Sequence, residues 1–212
     1  MFSKGQIERI VQELKAFENP DINKEQYFTA PDVASEVINQ LNLNGDVEDK
    51  VIVDLGAGTG FLSMGALISG AKKLYFVDSD ENALKILKEN IVSVIENYDV
   101  AISDYRLIHK DIKEIDITSF PEKVDVVIMN PPFGTKEKHM DTVFLEKAFE
   151  LSDTIYSLHK TSTKPYIVRK GQEFGYEVKT IELRYRLKRQ FDVHTKKFKD
   201  IGVTLFIFTK NG

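Results

Sequence analysis

From Val51 to Phe174 the chain repeatedly changes its hydrophobic period. Short apolar runs at Val51–Leu55, Lys73–Val77, Tyr105–His109, Val124–Met129 and Thr154–Leu158 have the length and β-branched content of strands. Helical spacing fills Gly60–Ser69, Glu81–Asn97, Thr142–Leu151 and Ser162–Phe174, and a loop joins His109 to Val124. Parallel neighbours need long crossovers, so this alternation specifies an α/β fold with a mostly parallel sheet and helices on both faces. Two long runs close the chain, Glu177–Lys188 and Lys197–Thr209, with no helix between them. They complete a seven-stranded sheet as a C-terminal antiparallel hairpin.

Ahead of the alternation, Ile7, Ile10, Val11, Leu14 and Phe17 mark a helix from Ser3 to Phe17, with Ser3 and Gln6 as its capping box. Asn19-Pro20-Asp21 stops it. The loop EQYFTAP, Glu25–Pro31, leads to a second helix that Pro31 opens and that runs to about Leu41. The organisation expected is one domain, 1–212: an N-terminal helical extension with a substrate-side loop, 1–45, and an α/β core, 46–212. Hydrophobic content of 42% fills such a core. No apolar run approaches the length of a membrane span, and MFSKGQIERI lacks the apolar region of a secretory signal, which points to the cytoplasm. The chain has no cysteine, which excludes disulfides, thiolate metal sites and a thiol nucleophile. A net charge of −4 confines polyanion binding to local basic patches.

Ligands of open α/β sheets bind outside the carboxyl ends of the strands, so the residues there carry the functional signal. Val124–Met129 stops at Asn130-Pro131-Pro132-Phe133. The prolines stiffen the loop and remove N–H donors. The Asn130 side-chain oxygen and the Pro131 carbonyl can then accept hydrogen bonds from one amino group, with Phe133 stacked on the flat ring bearing it. Val51–Leu55 runs into Asp54-Leu55-Gly56-Ala57-Gly58-Thr59-Gly60. This is GxGxG and lacks the dinucleotide spacing GxGxxG. The carboxylate of Asp54 suits a cationic or zwitterionic ligand better than a pyrophosphate. A plain strand-to-helix turn would not call for three alternating glycines. Asp78 ends the second strand, placed for the hydroxyls of a ribose, while Ser79 or Asp80 caps the next helix and leaves Asp78 free. Asp111 follows the third strand, where an acceptor can take an amino group.

DLGAGTG at 54–60, Asp78, HKD at 109–111 and NPPF at 130–133 resemble the class I S-adenosylmethionine-dependent methyltransferases, in the branch that methylates amino groups. The resemblance implies a Rossmann-like class I methyltransferase fold and S-adenosyl-L-methionine as cofactor. It implies that Asp54, Gly56, Gly58 and Gly60 pass the methionine part, that Asp78 binds the ribose and Asp111 the adenine, and that Asn130, Pro131, Pro132 and Phe133 are catalytic. EQYFTAP at 25–31, IYSLHKTST at 155–163 and FDVHTKKFKDIGVTLFIF at 191–208 resemble a narrower family, the methyltransferase-like proteins that modify adenine N6 in small-subunit ribosomal RNA. That likeness adds Gln26, Tyr27 and Thr29 as cofactor contacts. It also implies a small zinc-binding activator protein on the sheet edge formed by Tyr105–His109. Family members often carry proline soon after the tyrosine; here Phe28-Thr29-Ala30 intervene before Pro31.

Methylation of an adenine requires the base to be unpaired or flipped out. Lys136, Lys138 and the basic residues Arg189, His194, Lys196, Lys197 and Lys199 of the terminal hairpin form the expected ribosomal RNA contact. No metal is required: His109, His139, His159 and His194 form no ligand-spaced set and read as surface or hydrogen-bonding residues. Two other functions suit parts of the pattern. Asn-Pro-Pro-aromatic also fits a protein glutamine amide, and the cofactor motifs alone fit a catalytically silent subunit of a complex.

Overall fold

The computed structural model describes residues 2–18, 20–21, 25–98, 100, 102, 104–133, 139–186 and 200–210. Helices α1 (Lys4–Gln12) and α2 (Pro31–Asn44) precede strand β1 (Val51–Leu55). The chain continues through α3 (Met64–Ile68), β2 (Lys73–Asp78), α4 (Glu81–Tyr98) and β3 (Asp104–His109). Two short 3-10 turns lead to β4 (Val126–Met129), followed by α5 (Met140–Leu151), β5 (Thr154–Lys160), α6 (Lys164–Glu173), β6 (Glu177–Arg186) and β7 (Asp200–Thr209). The strands form one seven-stranded sheet in the order β3-β2-β1-β4-β5-β7-β6. The first five are parallel neighbours, and β7 pairs antiparallel with both β5 and β6.

Alternate residues of each central strand feed cores on opposite faces. Ile52, Leu74, Phe76, Val126 and Ile128 pack with α1 to α4. Val53, Leu55, Val77, Val127 and Met129 pack with α5 and with Ile167 of α6. The N-terminal helices therefore share the core, with Ile7, Ile10, Val37 and Ile38 fully buried. Asp54 faces the same side as Ile52, beneath these helices.

Three departures from the sequence reading have specific physical causes. Helix α1 has the expected capping box but stops at Gln12 rather than Phe17. The buried side chain of Asn90, on α4, accepts from Lys15 N at 2.8 Å and donates to Lys15 O at 3.0 Å and to Thr59 O at 2.9 Å. It thus binds the backbone of residue 15 in a non-helical form. Helix α3 begins at Met64 rather than Gly60, because Gly60 sits at φ +89°, outside helical geometry. Strand β4 begins at Val126: the carboxylate of Asp125 accepts from Val51 N at 2.9 Å and so sits at the root of β1.

Candidate active site

The order of the sheet reverses at β1 and β4, which makes a crevice at their carboxyl ends. Leu55 pairs with Met129, so the glycine loop and Asn130 leave the sheet side by side. A cleft of about 240 Å³ opens there. Its walls include Gly56, Gly58, Asp78, Asp111 and Asn130 from the strand ends, and Gln26, Tyr27 and Thr29 from the 25–30 segment. Of the residues singled out from sequence, these and Pro132 line one cavity. Pro131 and Phe133 adjoin it, and Asp54 and Gly60 lie behind its wall.

The glycines are required by the turn itself. Gly56 and Gly58 have φ of +76° and +54°, and the amides of Gly56 and Ala57 both bond Val77 O. A Cβ on Gly58 would stand 3.0 Å from the Phe17 ring, and one on Gly56 3.1 Å from Phe144. The alternation thus serves tight packing as well as ligand approach, contrary to the sequence reading that a turn alone had no use for it. Phe17 reaches this position because Asn90 ends α1 early.

Asp54 is 1% exposed, and neither carboxylate oxygen has a hydrogen-bond partner among the described residues. Burial pushes its pKa from 3.8 up to about 7. The Ser63 hydroxyl, a nearby donor that falls short of hydrogen-bond geometry, pulls weakly the other way, and the Asp78 charge adds to the rise. Asp78 is not left free, as the sequence suggested. It accepts from Gly58 N at 2.7 Å and from Asp80 N at 2.8 Å, which uses at least two of the roughly four acceptor sites of a carboxylate. Asp80 caps α4 through Asn82 N and Ala83 N, as expected. Asp111 is exposed at the cleft rim and accepts from Lys113 N at 2.9 Å.

The Asn130 amide nitrogen donates to the Thr29 hydroxyl at 3.0 Å. Phe133 lies half-buried, with Tyr27 at 6.1 Å between ring centroids and the Lys160 ammonium 5.3 Å from its ring centre. The Phe133 amide donates to Glu25 at 2.8 Å, and the Tyr27 hydroxyl donates to the same carboxylate at 2.6 Å. Glu25 holds φ +53°, a conformation that costs a side-chain-bearing residue on the order of 1–3 kcal/mol. Gln26 donates to Asp80 at 2.7 Å.

Sequence reasoning did not single out Glu25, Phe17 or Lys160. Glu25 lay inside EQYFTAP, but nothing in a string signals a left-handed glutamate. His159 is not a surface residue: it is 1% exposed, bonded to the Ser157 hydroxyl at 2.7 Å, with burial pushing its pKa down to about 3. The expected RNA contacts Lys136, Lys138, Arg189, His194, Lys196, Lys197 and Lys199 lie outside the described residues. Among the described residues no helix is long and apolar enough to cross a membrane.

The family described as conserved hypothetical protein 95 matches residues 29–175. The rRNA N6-adenosine methyltransferase METTL5 of Danio rerio is 36% identical over 96% of this chain and 97% of its own length. Its namesake from Drosophila melanogaster is 34% identical over 95% of this chain and 94% of its own. A crystal structure from Pyrococcus horikoshii, described as a candidate RNA methyltransferase, superposes with a TM-score of 0.84 at 37% identity, covering 98% of both chains.

Proposed function

The chain belongs to the conserved hypothetical protein 95 family and is a class I S-adenosylmethionine-dependent methyltransferase of the METTL5 type, and from that premise we propose that it methylates the N6 amino group of an unpaired or flipped adenine in small-subunit ribosomal RNA. The observation that carries the chemistry is the emergence of the Asn130–Phe133 loop beside the glycine loop, from paired residues of neighbouring strands. The adenine and ribosomal RNA assignment is supported by relatives that align over nearly their whole length.

The residues of the cleft fit the cofactor. The glycine turn brings bare backbone to the wall, Asp54 keeps an unpaired carboxylate behind it, and Asp78 and Asp111 stand at successive strand ends. In this reading Asp78 takes the ribose, Asp111 the adenine, and the 25–30 segment covers the bound molecule. S-adenosylmethionine supplies a methyl group on a sulfonium, ready for in-line displacement. The protein's own work is alignment, which suffices to supply most of the acceleration. Because the Asn130 amide nitrogen is committed to Thr29, its Oδ1 is available to the substrate. Oδ1 and the Pro131 carbonyl accept the two N–H bonds of the adenine amino group, which directs its lone pair at the methyl carbon and stabilises charge developing on nitrogen. Phe133 stacks on the base, a contact worth about 1–3 kcal/mol. The basic residues at 136–138 and 189–199 hold the flanking phosphates.

The family resemblance also proposes a small zinc-binding activator on β3. That strand lies at the edge of the sheet, which supports strand addition there. A ribosomal RNA substrate places the enzyme with ribosomes, in the cytoplasm.

The test uses methyl-labelled S-adenosylmethionine with separated ribosomal subunits, naked ribosomal RNA and total protein, beside Asn130→Ala. N6-methyladenosine from small-subunit RNA, lost in the variant, is the expected result. Label in protein glutamine would overturn the RNA assignment. Bound cofactor without label, restored by the activator, would make that partner obligatory; no label even then would make the chain a silent subunit.

A further inference from the structure

We propose that Glu25 and Thr29 are positioning residues for methyl transfer: through them the 25–30 segment sets the geometry of the Asn130–Phe133 loop. The inference deepens the methyl-transfer reading above and rests on it. The loop has little means of holding itself. Pro131 and Pro132 lack N–H groups, so Phe133 carries the first main-chain donor after Asn130. Among the described residues no backbone–backbone hydrogen bond outside the sheet ladder involves Pro131, Pro132 or Phe133. The Phe133 donor goes instead to the carboxylate of Glu25 at 2.8 Å, a charge-assisted bond across 108 positions of sequence. The same carboxylate takes the Tyr27 hydroxyl at 2.6 Å, which brings that ring beside Phe133. Glu25 is 7% exposed and left-handed, and a strained residue persists where its surroundings hold it in place.

Thr29 acts on the other end of the loop. A carboxamide has two faces of nearly equal shape and opposite hydrogen-bonding character. If Asn130 turned its nitrogen to the cleft, it would meet the substrate amine donor against donor. The Thr29 hydroxyl, 4% exposed, accepts from that nitrogen at 3.0 Å and so leaves the oxygen to face the substrate. The segment is anchored on the opposite wall as well. Gln26 donates to Asp80, whose own amide bonds Asp78, and Asp78 holds Gly58. One short segment therefore ties the ribose-side acid to both ends of the acceptor loop. On this reading Thr29, which lines the cleft, acts on the acceptor loop through Asn130 in addition to the cofactor contact that the sequence suggested.

The experiment compares Thr29→Val, Thr29→Ser, Glu25→Ala and Glu25→Gln with the unaltered protein. Turnover is followed on naked small-subunit ribosomal RNA, S-adenosylhomocysteine affinity by calorimetry, and exchange of the Phe133 amide by mass spectrometry. Thr29→Val should lower kcat by about tenfold to a hundredfold, the scale of a misplaced reacting group, and by more than it lowers S-adenosylhomocysteine affinity. Thr29→Ser should restore most of it. Glu25→Ala should lower kcat and speed Phe133 exchange at least about tenfold, with Glu25→Gln between, since a neutral acceptor makes a weaker bond. Unchanged kcat overturns the proposal, and so does failure of serine to rescue. Parallel loss of cofactor affinity in Thr29→Val would make it a cofactor contact alone. If the unaltered protein labels no RNA even with the activator added, the methyl-transfer reading fails by itself. The Phe133 amide then still decides: faster exchange in Glu25→Ala upholds the clamp, and unchanged exchange overturns it.

Discussion

Replacing Asp54 by Asn should stabilise the protein in a way that grows with pH. The carboxyl titrates near 3.8 in an unfolded chain, and burial pushes it up to about 7 in the fold. A group with a raised pKa holds its proton more tightly when folded. Its contribution to stability is complete below about pH 3.8 and is lost as pH rises to about 7. Each pH unit between those limits costs about 1.36 kcal/mol. The ionised carboxylate therefore costs the fold roughly 2 kcal/mol at pH 5 and roughly 4 kcal/mol at pH 8. Asparagine keeps the shape without the charge. Its amide is as short of partners as the carboxylate, but that offset does not vary with pH. The difference between variant and parent should thus widen by about 2–3 kcal/mol from pH 5 to pH 8. A domain of this size shifts about 2–4 °C per kcal/mol, so the gap in Tm should widen by roughly 5–10 °C. Differential scanning calorimetry without cofactor, across that range, measures it. A gap that stays flat would refute the reasoning, because it would mean that water reaches Asp54 and leaves it an ordinary carboxyl.

Asn90→Leu should destabilise the fold by about 2–4 kcal/mol, since the buried carbonyl of Thr59 and two partly buried backbone groups of Lys15 lose their partner, and it should weaken S-adenosylhomocysteine binding as Phe17 loses its hold over Gly58. Chemical denaturation and calorimetry check the two effects separately; loss of stability with intact affinity would release Phe17 from any part in the site. Charge reversal at Lys196 and Lys197 together should weaken RNA binding and reduce the slope of log affinity against log salt by about 0.7 for each phosphate no longer neutralised. Filter binding at several salt concentrations reads the slope, and an unchanged slope removes both lysines from the interface.

The strands were legible because the chemistry of burial is periodic: β1 begins and ends where its apolar run does, whereas the edge position of the third strand came with the family resemblance, since alternation alone does not order the strands. Helix ends were less so. Nothing local to residues 13–17 forbids helix; the stop comes from Asn90, distant in sequence. The strand-end acids and the Asn-Pro-Pro-Phe loop were readable because a parallel sheet fixes where its carboxyl ends go. The clamp from Glu25 to Phe133 was not, because it depends on a backbone angle that glutamate rarely adopts and on a hydrogen bond that no spacing encodes. Asp54 was rightly marked as unusual, but its depth behind the cleft wall is a property of the helices that cover it.

The pairing of Leu55 with Met129 has a further consequence for how the molecule tolerates wear. The separation between donor and acceptor sites is set by the ladder between β1 and β4, in the middle of the sheet, where local opening demands nearly complete unfolding. The far end of the acceptor loop is held differently, by side chains of the 25–30 segment, which belongs to no helix or strand and so opens at lower cost than the ladder. Heat or mild denaturant should therefore loosen the acceptor loop while the glycine turn beside it still stands, and a partly frayed molecule would keep its methyl donor in place and transfer it slowly.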